Sequence, residues 1–172
     1  MDTRNIEPNI THKVLAKMEE MGKLKAIVTQ NIDGLHQKAG SKNVFEIHGT
    51  TQRNYCSKCK MKYHSDFLFN TKDAIPKCEC GGLIRPDVTL YGENLPNEAV
   101  NGAVEAISNA DMLIIGGTSL KVYPAAHYIS YFSGRHLVVI NMEKIQVLLN
   151  EDADLMIVDS LGNVFSEIDK WM

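Results

Sequence analysis

The residues most plainly arranged for chemistry are the four cysteines of this 172-residue chain. Cys56 and Cys59 form one pair and Cys78 and Cys80 another, with 18 residues between the pairs. Thiolates bind zinc tetrahedrally, and cysteines two or so residues apart let one tight turn supply two ligands. Cys56-Ser57-Lys58-Cys59 has the common spacing. Cys78-Glu79-Cys80 is one residue tighter, and Gly81-Gly82 help the backbone bend around a metal. Lys58, Lys60, Lys62 and Lys77 offset the negative charge of a four-thiolate site. Four sulfur ligands leave no open coordination position, so the site reads as structural. Iron suits the same ligands, and four unligated cysteines are the plainer alternative.

The six histidines differ by position. His12, His127 and His136 fall on expected helices or a strand edge and read as structural. His64 is a spare ligand beside four sufficient cysteines, and His36 follows the Asp33-Gly34 turn. His48 ends an expected strand, precedes Gly49 and falls at the edge of an expected pocket. Histidine is the side chain best placed for proton transfer near neutral pH, so His48 is the candidate base.

The elements that must position these groups follow from apolar periodicity. Asn9 or Thr11 caps a first helix through Ile10, Val14, Leu15, Met18 and Met21, with Gly22 as its stop. Lys23–Thr29 predicts a short buried strand and Val44–Ile47 a second extended stretch, and apolar runs predict strands at Met112–Ile115, Leu137–Ile140 and Leu155–Val158. Helices are expected over Asn97–Ala110 and Ala125–Phe132, with Pro124 in the first turn of the second and Gly134 closing it. Asp159-Ser160 is expected to cap a terminal helix. Between Thr50 and about Tyr91 the chain is rich in Lys, Cys, Gly and Pro and predicts an inserted loop-and-ribbon module. Apolar strands alternating with helices imply an α/β fold with a Rossmann-like parallel sheet covered on both faces. In such sheets ligands bind beyond the carboxyl ends of the strands. Gln30-Asn31-Ile32-Asp33, Gly117-Thr118-Ser119 and Asn141 all lie at such ends and suggest a nucleotide-sized pocket.

Composition sets outer limits. An apolar fraction of 44% and a formal net charge of −3 fit an ordinary globular chain without a global pull toward nucleic acid or acidic membranes. No apolar run approaches the roughly 20 residues of a membrane helix, and Met1 to Asn5 shows no signal-peptide core. A cytoplasmic location is expected. Tyr55, Tyr63, Phe67 and Phe69 beside the lysines are compatible with a nucleic-acid-binding zinc ribbon, but the rest of the chain is unlike a small binding module.

Several separate blocks in order resemble the sirtuins, Sir2-type NAD-dependent protein-lysine deacylases, in a bacterial-like form. They are Thr29-Gln30-Asn31-Ile32-Asp33-Gly34-Leu35-His36, Glu46-Ile47-His48-Gly49, the cysteine pairs, Tyr91-Gly92-Glu93, Gly117-Thr118-Ser119-Leu120 and Val122-Tyr123-Pro124-Ala125. The resemblance implies that Gln30, Asn31, Ile32 and Asp33 surround the nicotinamide and its ribose. Asp33 and Ile32 would hold the carboxamide, and Asn31 would position the ribose. It implies that His48 is the general base on the ribose hydroxyls. Gly117, Thr118, Ser119 and Asn141 would contact phosphates and adenine ribose, with Asp159 and Ser160 near the adenine. Val88, Thr89, Leu90, Tyr91, Gly92 and Glu93 would pair with the backbone of an acylated lysine peptide, and Val122 and Tyr123 would flank it, which is strand addition. NAD and one structural zinc are the implied cofactors, nicotinamide and O-acyl-ADP-ribose the implied products, and no specific nucleic acid or membrane the implied partner.

The same resemblance implies residues 1–49 and 93–172 as the NAD-binding domain and 50–92 as the zinc-binding module. The sirtuin pattern opens with a strand, a glycine-rich turn and a Pro-Asp-Phe-Arg loop that have no counterpart in this sequence, so the first strand–helix unit of the Rossmann-like domain is expected to be missing. The chain alone is therefore expected to be a weak or inactive enzyme. The alternative is a non-catalytic, zinc-stabilised peptide-binding fragment.

Overall fold

In a computed structural model, which describes residues 5–70, 75–147 and 153–172, Asn9 opens the first helix. Its side chain accepts from the His12 amide, and the His12 ring reaches back to the Asn9 amide, closing a capping box on α1 (Ile10–Glu20). Gly22, at φ +72°, ends the helix as expected, because only glycine takes that conformation without cost. The amides of Lys23 and Leu24 both return to the Met18 carbonyl, so the helix end consumes the start of the expected strand. The strand β1 is consequently only Ile27–Thr29, paired in parallel with β2 (Val44–Glu46).

A second parallel sheet carries β6 (Met112–Gly116), β7 (His136–Asn141) and β8 (Leu155–Val158) in the order β6-β7-β8. Its central strand is buried on both faces, with Val139 and Ile140 essentially inaccessible. One face packs Ile115, Leu137 and Val139 against Leu120, Ala126 and Ile129; the other packs Ile140 against Val14 and Phe165. α1 and the terminal helix α5 (Leu161–Asp169) thus cover one side, and a helical turn at Ala125–Tyr131 covers the other. The α/β, Rossmann-like reading is correct. The covering turn is the expected helix, in 3-10 form. His, Tyr, Ile and Ser are weak helix formers, and Ser130 Oγ draws the His127 carbonyl into an i−3 contact.

α4 (Asn97–Ser108) joins the two parallel sheets. Ala103 is fully buried with Ile47 against Val28, Phe45 and Tyr128. A Cβ on Gly102 would lie 2.2 Å from the Phe45 ring, so glycine lets helix and strand meet.

The module between the sheets is an antiparallel ribbon of order β4-β3-β5, with β3 at Gly49–Cys56, β4 at Lys62–His64 and β5 at Ile84–Val88. It also carries a helix absent from the sequence reading, α3 (Ser65–Asn70). Ser65 Oγ donates toward the Thr51 and Gln52 carbonyls and so anchors α3 on β3. The Phe69 side chain lies outside the described residues. Among the described residues, no helix is long and apolar enough to cross a membrane.

Candidate functional site

Thr29, at the buried end of β1, turns the chain into the first polar cluster by accepting the Asn31 amide on its hydroxyl at 3.1 Å. Asp33 then accepts the Leu35 amide at 3.0 Å, and Gly34 at φ +72° opens the short helix α2 (Leu35–Lys38). The start of β3 stitches this loop in place. The Ile32 carbonyl accepts from the Thr51 amide at 2.9 Å and the Thr51 hydroxyl at 3.0 Å, and Gln52 Nε2 donates to the Asp33 carbonyl at 3.2 Å.

His48 sits half-buried between β2 and β3, with Nδ1 3.1 Å from the Gln30 carbonyl oxygen. A carbonyl can only accept, so Nδ1 carries the proton and the neutral ring keeps its Nε2 lone pair for another group. Gly49 follows at φ +76°, where a Cβ would stand 2.0 Å from the Asp87 carbonyl oxygen. The close approach aligns Gly49 with Val88, and the Thr89 amide donates to the His48 carbonyl at 3.0 Å. The candidate base therefore touches both the Gln30–Asp33 loop and the Val88–Glu93 segment. Leu90, Tyr91, Val122 and Tyr123 are all exposed.

The second cluster lies at the carboxyl ends of β6, β7 and β8. The Gly117 amide donates to the Ile140 carbonyl and the Asp159 amide to the Asn141 carbonyl. Ser160 caps α5 by accepting the Asn163 amide at 3.1 Å, and Asp159 accepts from Asn163 Nδ2 at 2.8 Å. Thr118 Oγ1 accepts the Leu120 amide, holding Leu120 buried at a left-handed φ of +53°. A Cβ on Gly116 would meet Leu161 at 2.7 Å, so the turn after β6 lies close on the start of α5. Gly117, Thr118, Ser119, Asn141, Asp159 and Ser160 thus gather at one sheet end. Among the described residues, no hydrogen bond links this cluster to the Gln30–Asp33 loop.

The four cysteines converge as their spacing predicts. Their sulfurs all lie within 4.8 Å of one another, with Cys56 to Cys80 at 3.5 Å and Cys59 to Cys78 at 3.6 Å. Tetrahedral zinc with bonds of about 2.3 Å requires sulfur separations of about 3.8 Å, so the donor set fits the ion. The amides of Cys59 and Lys58 hold the Cys56 thiol down to about 6, which favours the thiolate a metal binds. Gly82 completes the cradle, since a Cβ there would stand 2.5 Å from Cys56 Sγ. The tight Cys78–Cys80 spacing is accommodated by the Gly81 amide bonding to the Cys78 carbonyl, with Gly81 at φ +79°.

Three contributors escaped sequence reasoning. Thr51 and Gln52 are ordinary strand residues in sequence, and the loop carbonyls they bind carry no side-chain signature. Arg85 lies within the cysteine module, and its partners on the neighbouring turn leave no mark in the sequence.

Comparison with known proteins places this geometry. Residues 1–124 match the Sir2 family. An NAD-dependent protein deacetylase of Clostridium perfringens is 57% identical over 166 residues, covering 95% of this chain and 67% of that protein. A solved complex of Sir2 with a p53 peptide and NAD+ superposes with a TM-score of 0.90 at 37% identity, covering 98% of this chain and 72% of that one. A Sir2 structure bound to an acetylated peptide matches with a TM-score of 0.88 at 36% identity, over 98% of this chain and 72% of the other. The chain thus spans about two thirds of the length of the curated relative. With the family match over residues 1–124, 57% identity to a deacetylase along most of its length and one fold held in common, the chain belongs to the Sir2 family.

Proposed function

We propose that this chain carries the acyl-lysine side of an NAD-dependent protein deacetylase site, with His48 as its base. The observation that carries the reading is the Nδ1 contact of His48 with the Gln30 carbonyl, which leaves Nε2 available. NAD, when bound, supplies an anomeric carbon with nicotinamide as its leaving group. Gln30, Asn31, Ile32 and Asp33 hold the nicotinamide end, because their loop is fixed to β3 beside the imidazole. His48 Nε2 takes the proton of a ribose hydroxyl, and the Gln30 carbonyl stabilises the resulting imidazolium through Nδ1. Gly117, Thr118, Ser119 and Asn141 bind the phosphate and adenosine portion, with Asp159 and Ser160 at its edge. Val88–Glu93 receives the acylated peptide as an added strand, flanked by Val122 and Tyr123.

Residues 50–92 form the zinc-binding module and residues 1–49 and 93–172 the nucleotide-binding domain. Zinc is structural in this reading: four thiolates fill its coordination, and its role is to hold the ribbon that carries the peptide edge. A four-thiolate site needs reduced cysteines, which suits a cytoplasmic setting.

The 172-residue chain by itself is a weak catalyst. The site is divided between two parallel sheets, β1-β2 and β6-β7-β8. They are linked through α4 and through α1, which packs on β7 and holds the Lys42 and Asn43 amides before β2 by Glu19. Productive alignment within about an ångström is what such chemistry demands. The second reading is a chain that binds acylated peptide without turnover. It is favoured by the peptide edge being held within the ribbon and by His48, independently of the second sheet.

The test is nicotinamide release from NAD with an acetyl-lysine peptide. A measurable rate that falls by about 10²- to 10⁴-fold in His48→Ala supports the base assignment. A rate unchanged by that substitution overturns it. Peptide binding with no release selects the second reading.

A further inference from the structure

The segment Leu90–Glu93 folds back as a turn, its Glu93 amide donating to the Leu90 carbonyl at 3.0 Å with Gly92 at φ +86°. The positive φ at the third position suits a type II turn and presents Tyr91, fully exposed, at the tip. Arg85 grips this turn from within β5. Its Nη1 and Nη2 meet the two oxygens of Glu93 at 2.6 and 2.9 Å, a bidentate pair, and Nη2 also donates to the Val88 carbonyl at 2.9 Å. Glu93 in turn accepts the Leu90 amide at 2.9 Å. One guanidinium and one carboxylate thus tie both ends of the turn to the strand that precedes it. The guanidinium also lies 5.9 Å from the centre of the Tyr55 ring on β3, which anchors it to the cysteine ribbon. Arg85 with its neighbouring Leu90 amide holds the Glu93 carboxyl down to about 2, so the pair stays charged under ordinary conditions.

We propose that Arg85 and Glu93 form a positioning clasp for the peptide substrate, fixing the Leu90–Glu93 turn so that Val88–Leu90 stays extended beside His48. The inference rests on the deacetylase reading above. The clasp assigns Arg85 a role in substrate placement, although it touches no reacting atom. The path to the base is short: Arg85 binds the Val88 carbonyl, and the next amide, Thr89, binds the His48 carbonyl. A lysine at position 85 would keep the charge but lose the planar fork that grips both oxygens.

The experiment measures binding of a fluorescent acetyl-lysine peptide to the full chain and to Arg85→Lys and Glu93→Gln, with NAD binding, zinc content and thermal melting followed in parallel. The Kd for peptide should rise about tenfold or more in both variants, the cost of losing a charge-assisted pair at an ordered loop. Zinc content and NAD binding should stay at the level of the unsubstituted chain, a split that general destabilisation would not produce. Amide exchange at Leu90 should quicken in Glu93→Gln while exchange along β3 and β4 does not. Peptide binding within twofold of the unsubstituted chain in both variants would overturn the clasp and leave the deacetylase reading intact. Equal loss of peptide, NAD and zinc would also overturn it, by showing a purely structural pair. Failure of the unsubstituted chain to bind peptide at all would sink the deacetylase reading and the clasp with it.

Discussion

His12 and His36 meet as tilted rings with centres 4.7 Å apart where α1 meets α2, and among the described residues the buried Nδ1 of His36 has no hydrogen-bond partner. Burial lowers the pKa of both rings from 6.5, more than the nearby Asp33 carboxylate raises them. The folded chain therefore binds fewer protons at this pair than the unfolded chain does. The stability it contributes is present above pH 6.5 and is lost as pH falls through the lowered values. Urea midpoints measured along a descending pH series should drop in this window, and His36→Gln should flatten the drop. Gly82 offers a second test at the scale of one residue. A methyl group in Gly82→Ala meets Cys56 Sγ at 2.5 Å and Lys58 Cβ at 2.7 Å. The variant should bind zinc substoichiometrically by elemental analysis, and full occupancy would show that the ribbon yields more than its packing suggests.

At the level of elements, the zinc-binding ribbon and the β6-β7-β8 sheet have separate cores. Cys56, Cys78 and Ile84 form one small cluster, whereas Val139, Ile140 and Phe165 belong to larger ones. So small a core needs its metal, because ligand binding there is also folding free energy. Chelation should accelerate amide exchange throughout β3, β4 and β5 while β7 stays protected; uniform loss of protection would mean that the elements melt as one.

The same contrast explains what was legible in the sequence. The four-residue apolar run Leu155–Val158 became β8 without adjustment, although it lies at the sheet edge with Leu155 and Val158 exposed and only Met156 and Ile157 half-buried. The first strand was overdrawn because Lys23 and Leu24 complete the end of α1 through the Met18 carbonyl, a competition that apolar spacing does not reveal. The cysteines were legible because metal binding demands a residue type at a spacing. The contact that orients His48 was not, because its acceptor is a backbone carbonyl 18 residues away. Arg85 was equally hidden, its value lying in a turn that the sequence shows only as Gly92 beside Glu93.

For the whole molecule, the central question is how two sheets hold one site. α4 is one described bridge and α1 another, and at Gly102 the backbone of α4 meets the Phe45 ring of β2. Gly102→Ala places a Cβ 2.2 Å from the Phe45 ring and should cost about 1–3 kcal/mol by overpacking, read from denaturant midpoints. A cost near zero would mean that α4 shifts freely, and with it the spacing between the Gln30–Asp33 loop and the Gly117–Ser119 turn. The ion pairs Arg53–Glu46 at 3.4 Å and Arg53–Asp87 at 3.1 Å span β2, β3 and β5 and tie the ribbon to the first sheet. Glu46 is buried in this arrangement, so Arg53→Ala should destabilise the chain more than the loss of an exposed pair would.

The close approach of Gly49 to Asp87 has a consequence for anyone recombining this protein with its relatives. His48-Gly49 and Val88-Thr89 are pinned backbone to backbone, with no side chain between them to absorb a mismatch. A foreign ribbon spliced in at position 50 would separate Gly49 from the Asp87 it was fitted against, and the donor's residue opposite would set the tilt of the imidazole. His48 and the Val88–Glu93 segment, the proposed base and peptide edge, are therefore inherited as a single cassette, and the workable crossover points lie before His48 and after Glu93.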